Sequence, residues 1–163
     1  MSSDGPCFRS DAEVARIGAG LIDGALPGAE WTHAAHWASA LWLIVVRTDL
    51  HPPRDMPGLI RAYNQSLGNR NTDTSGYHET ITQASLRAAW HAVALAPAGA
   101  PLFETCNRLL ASDLGRPDWL MRYWSKPVLF SIEARRAWVG PDQEALPYPP
   151  YPAPVGPRVM PGI

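Results

Sequence analysis

The chain has 163 residues, 46% of them hydrophobic and 18% charged, enough to close one core and inconsistent with wholesale disorder. Its 14 basic and 15 acidic residues leave a net charge of −1, so no concentrated positive charge exists to hold nucleic acid or an anionic membrane surface. Two cysteines, Cys7 and Cys106, allow at most one bridge and form no metal-binding pair, which favours a reduced, cytoplasmic setting. The N-terminus shows no signal-peptide pattern. The most apolar run, Trp37 to Val46, is interrupted by Ser39 and falls short of the roughly 20 residues that cross a bilayer.

Residues 1–9 read as a flexible N-terminus, 10–140 as a helical domain and 141–163 as a Pro-rich extended arm. Ser10 and Glu13 have the spacing of a capping box, and Val14, Ile17, Leu21 and Ile22 continue at helical spacing to about Asp23, where Gly24 and Pro27 stop the helix. A second helix is predicted from Gly28 to Arg47. After the break at His51-Pro52-Pro53, a third is predicted from Pro57 to Leu67, ended by Gly68. Gly68 to Gly76 reads as a polar loop. A fourth helix follows Ser75 and runs to about Ala96, a fifth spans Leu102 to Ala111, and a short sixth spans Asp118 to Trp124. Ser131 caps a last one through Trp138. No segment alternates apolar and polar residues, so the predicted fold is all-α, a compact bundle of five to seven helices. The prolines between 141 and 161 forbid regular structure, and the segment reads as a loose tail, although Tyr148 and Tyr151 could anchor it to the body.

Histidine placement points to a site. His33 and His36 neighbour each other on one helical face, with Glu30 one turn earlier. Short connections make consecutive helices antiparallel, so the second and fourth run the same way and their starts lie at one end of the bundle. That end would gather His33, His36, His78 and Glu79, together with Tyr63 and Asn64 at the close of the third helix. The loop carrying Asn71, Thr72 and Asp73 arrives there, as does Tyr77. His91 lies roughly 20 Å further along the fourth helix, and His51 lies at the opposite end.

Three imidazoles with carboxylates nearby are the ligand set of a catalytic iron, copper or zinc ion. On that reading His33, His36 and His78 hold the metal, and Glu79 or Glu30 serves as base or fourth ligand. Tyr63 and Asp73 act at the reaction centre, and Asn64, Asn71 and Tyr77 bind the substrate. Each has a plainer reading. Paired histidines can simply bond to backbone, Glu79 can complement a helix dipole, and Asp73 can close a turn. Trp31, Trp37 and Trp42 suit a core, Tyr63 and Tyr77 can pack with a satisfied hydroxyl, and Arg135 and Arg136 can pair with surface carboxylates.

The segments Glu30-Trp31-Thr32-His33-Ala34-Ala35-His36 and Asn71-Thr72-Asp73-Thr74-Ser75-Gly76-Tyr77-His78-Glu79-Thr80 resemble a family of small uncharacterised bacterial all-helical proteins. So do Ile60-Arg61-Ala62-Tyr63-Asn64 and the closing stretch Leu129 to Trp138. That closing motif would usually read Ser-Pro-Glu-Ala-Arg, and Ile132 stands here in place of the proline. The resemblance implies that the histidine-bearing segments form one unit, and it brings no activity. Two functions follow as expectations: a small metal-dependent enzyme acting on a small polar substrate, by hydrolysis or oxygenation, or a non-catalytic helical protein that binds a small molecule or assembles with a partner. A homodimer is compatible with either.

Overall fold

A computed structural model describes residues 8–154; residues 1–7 and 155–163, which hold most of the N-terminal segment and the end of the Pro-rich arm, lie outside the described residues. The described residues are helical throughout their regular structure, with seven α-helices, three short 3-10 turns and no strand. Helix α1 spans Asp11–Asp23. Ser10 Oγ accepts the Glu13 N–H at 3.3 Å, and the Glu13 carboxylate accepts the Arg9 N–H at 3.1 Å, one residue before the donor a closed capping box would use. Gly24, at φ 75°, turns the chain out of the helix through the left-handed region.

Helix α2 spans His33–Val45 and begins five residues later than predicted. Gly28–Glu30 forms a 3-10 turn instead, and Thr32 Oγ1 caps α2 by accepting the Ala35 N–H at 3.2 Å. Every residue from Trp37 to Ile44 is buried. The segment therefore carries no one-sided stripe and reads as ambiguous by periodicity.

Helix α3 spans Pro52–Ser66, starting five residues before the predicted Pro57. Pro52 and Pro53 sit where helical N–H groups have no partner in any case. Pro57 lacks the donor that would reach the Pro53 carbonyl, and Gln83 Nε2 of the next helix donates to that oxygen at 2.9 Å in its place. Helix α4 spans Glu79–Leu95 and α5 Leu102–Ala111, the latter as predicted. The predicted sixth helix is a 3-10 turn, Trp119–Arg122, preceded by another at Asp113–Gly115. The short α6, Lys126–Leu129, was not anticipated, and α7, Ile132–Arg136, stops short of Trp138. The core gathers Val14, Leu21, Leu41, Leu86, Trp124 and Leu129 from four of the helices and the loop before α6. No helix among the described residues is long and apolar enough to cross a membrane.

Both expected flexible ends are tied down where they are described. Asn107 bonds both the N–H and the carbonyl of Phe8, each at 2.8 Å. Residues 141–154 run irregularly across the body, so the loose-tail expectation fails for them. Asp142 accepts from the N–H and hydroxyl of Ser125, and Leu146, Tyr148 and Tyr151 pack on the core. The Tyr148 ring meets His91 at 5.2 Å, and the Tyr151 ring meets Trp90 at 5.0 Å and His51 at 5.4 Å. His51 Nε2–H donates to the Pro152 carbonyl at 3.0 Å. The prolines prevent helix, but the tyrosines between them bury enough surface to hold the segment.

A candidate small-molecule cavity

Helices α2, α3 and α4 and the segment 117–120 enclose a cavity of about 350 Å³. Trp31, Trp37 and Trp119 supply aromatic walls, and Met56, Ile60, Ile81, Leu86 and Leu120 supply aliphatic ones. The polar lining is His33, His36, His78, Asn64, Tyr77, Thr82 and Ser85; no Asp, Glu, Lys or Arg lines it among the described residues. The three histidines do share one cavity, as the helix directions implied, yet they do three different jobs.

His78 is the N-cap of α4. Its Nδ1 accepts the Ile81 N–H at 3.1 Å, and its Nε2–H donates to the Leu129 carbonyl at 2.6 Å. Burial holds its pKa below the ordinary histidine value, against the opposing pull of the Leu129 bond. Both ring nitrogens are engaged, so the ring offers the cavity an edge and no lone pair.

His33, the first residue of α2, lies with its Nε2 2.9 Å from the Leu114 carbonyl. Trp37 Nε1 donates to the same oxygen at 3.0 Å. Trp37 Nε1 also lies 3.2 Å from His33 Nε2, but the carbonyl can only accept and its two lone pairs take both donors, so His33 carries its proton on Nε2 and Trp37 directs its N–H to Leu114. This clamp joins α2 to the 3-10 turn before Trp119.

The His36 side chain makes no hydrogen bond among the described residues. By surface area it is exposed, but that surface opens into the cavity and the Trp31 ring stands edge-on to it at 4.0 Å. Burial by the walls, and then the neighbouring His33 ring, push its pKa down to about 4. At neutral pH it is therefore an uncharged imidazole with polar capacity to spare.

Of the remaining expected site residues, Asn64 and Tyr77 line the cavity, and the others are structural or lie elsewhere. Glu30 stands on the 3-10 turn, off α2, and is ion-paired with Arg16 at the surface. Glu79 is absent from the cavity lining; it accepts from the Tyr77 hydroxyl at 2.9 Å and from Gln83 Nε2 at 2.8 Å. Burial and the Glu79 charge hold the Tyr77 hydroxyl well above the usual phenol range. Tyr63 is buried and donates to the Leu26 carbonyl at 2.7 Å. Asp73 pairs with both arms of the Arg136 guanidinium, at 2.8 and 2.6 Å, as the plain surface reading had it, whereas Arg135 donates to the carbonyls of Gly76 and Tyr77. Asn71 staples its loop: Oδ1 accepts from Asn64 Nδ2 and the Tyr77 N–H, each at 3.0 Å, and Nδ2 donates to the Arg61 carbonyl.

No group of three or more His, Cys, Asp or Glu side chains among the described residues is placed to hold a metal ion. With His78 committed to the backbone and both carboxylates turned elsewhere, the expected iron, copper or zinc site finds no support in this arrangement. Sequence reasoning missed Trp119, Thr82, Ser85 and the Leu114 carbonyl; Trp31, expected in the core, packs against it and also walls the cavity. Nothing local in the sequence marks the Leu114 backbone as a tie point. Comparison with protein-family models, curated proteins and solved structures finds no match.

The His36 environment predicts a pH effect. Between pH 6.5 and about 4 the unfolded chain binds a proton at this residue that the folded chain does not, so stability falls as pH falls through that window. Melting temperatures measured from pH 7 to pH 4 should drop for the native chain and drop less for His36→Gln. His78 adds a slope of the same sign in both proteins, so the difference between the curves isolates His36. Parallel curves would contradict the assignment.

Proposed function

We propose that this protein binds a small, uncharged, largely flat and apolar molecule in the cavity, with His36 as its hydrogen-bonding partner. The observation that carries the reading is an uncharged cavity walled by three tryptophans around one neutral imidazole without a hydrogen bond. A volume of about 350 Å³ lies at the small end of ligand pockets, suiting a one- or two-ring compound. Transfer of a charged ligand into such walls would be costly, because no counter-charge lines them. The same low basicity makes His36 a poor proton abstractor near neutrality, which favours binding over acid–base catalysis. For His78 to ligate a metal it would have to give up at least its bond from the Ile81 N–H, and with it the cap of α4.

Calorimetric titration with indole tests the reading. Saturable one-to-one binding is expected, lost in Ala40→Phe, whose ring would occupy the cavity from α2. His36→Phe should weaken indole about fivefold, the worth of one neutral hydrogen bond, and leave toluene unaffected. No saturable binding, or binding indifferent to Ala40→Phe, would overturn it.

A further inference from the structure

A second, open groove of about 480 Å³ lies on another face of α4, lined by Glu79, Gln83 and Arg87 at four-residue spacing and walled by Pro53, Trp138 and Tyr151. Arg87 differs from the other described arginines in being half-buried without an acceptor; Arg9, Arg61, Arg70 and Arg108, which also pair with no carboxylate, are exposed. Six of the described arginines are ion-paired with carboxylates, and Arg135 donates to two backbone carbonyls. The half-buried Arg87 has no acceptor among the described residues; its guanidinium lies 4.1 Å over the Trp138 ring. Burial lowers its pKa with no anion to offset the effect. A guanidinium held flat by an aromatic face keeps its edge N–H groups free to meet a carboxylate.

We propose that this groove binds a small aromatic monocarboxylic acid, Arg87 donating to the carboxylate while the ring of the acid rests against Tyr151 and Pro53. Charge in the groove argues for one negative charge and no more. Arg136 also reaches the groove, but its charge is matched by Asp73. The Glu79 carboxylate, two helical turns from Arg87 and about 12 Å along the axis, accepts from Tyr77 and Gln83 and disfavours a polyanion.

The test follows the Nε–Hε resonance of Arg87 in the full ¹⁵N-labelled chain during titration with sodium benzoate. A saturable shift is expected, with benzamide and inorganic phosphate at equal concentration producing none. Arg87→Gln should weaken benzoate about tenfold, followed through Trp138 indole N–H. Should that variant not fold, the contrast between benzoate and benzamide on the native chain decides alone. Absence of a saturable shift, equal response to benzamide, phosphate binding as tightly as benzoate, or unchanged affinity in Arg87→Gln would each overturn the proposal.

Discussion

Gly115→Ala should destabilise the fold by about 3 kcal/mol or more and, for a domain of this size, lower the melting temperature by roughly 6–12 °C. A Cβ at this position would overlap the Leu110 carbonyl oxygen and lie 2.7 Å from the carbonyl carbon, at the last turn of α5. The obstacle is backbone, so no side chain can swing aside. Either α5 or the Asp113–Gly115 turn has to move, and that turn carries the Leu114 carbonyl that clamps His33 and Trp37. Indole affinity should therefore fall together with stability. Gly140→Ala, which meets nothing within 4 Å, serves as the control and should melt as the native chain does. Thermal denaturation of the two variants checks the claim, and a Gly115→Ala melting temperature close to native would contradict the packing described.

His78→Ala is the second large effect. It strips the cap from α4 and leaves the Ile81 N–H and the Leu129 carbonyl without partners in buried surroundings, a loss of about 2–4 kcal/mol. His78→Asn can still cap the helix but does not span to Leu129, so it should recover about 1 kcal/mol of that loss. His36→Ala, by contrast, breaks no hydrogen bond among the described residues and should change stability little at pH 7. Denaturant unfolding of the three variants separates the roles. Equal losses for His36→Ala and His78→Ala would mean that the two rings are not distinguished as described.

That distinction could not be read from spacing. The sequence places His33, His36 and His78 at one end of the bundle through helix direction alone, and the structure puts all three on one cavity. What each nitrogen does depends on Leu114, Ile81 and Leu129, whose contribution is backbone and carries no side-chain signature. The ends of α1 were legible because Ser10 and Gly24 act within their own turns. The start of α3 was not, since a Pro-Pro pair reads as a break until something upstream fixes it as a first turn, and the Pro53 carbonyl that Pro57 leaves without a donor is met by Gln83 from another helix. The cavity walls at Pro117 and Trp119 come from a segment distant in sequence, so no local pattern announces them. The arm shows the same limit: its prolines forbid helix legibly, but docking of Tyr148 and Tyr151 depends on His91, Trp90 and His51 waiting on the body.

The most direct test of the central claim is the long-range ¹⁵N spectrum of the imidazoles during indole titration. The ring nitrogens of His36 should shift saturably while those of His78 stay put, and His36 should remain neutral down to about pH 5. Indole binding that leaves His36 unmoved, or a His36 ring that protonates near pH 6.5, would show that the cavity does not enclose its ligand around this residue.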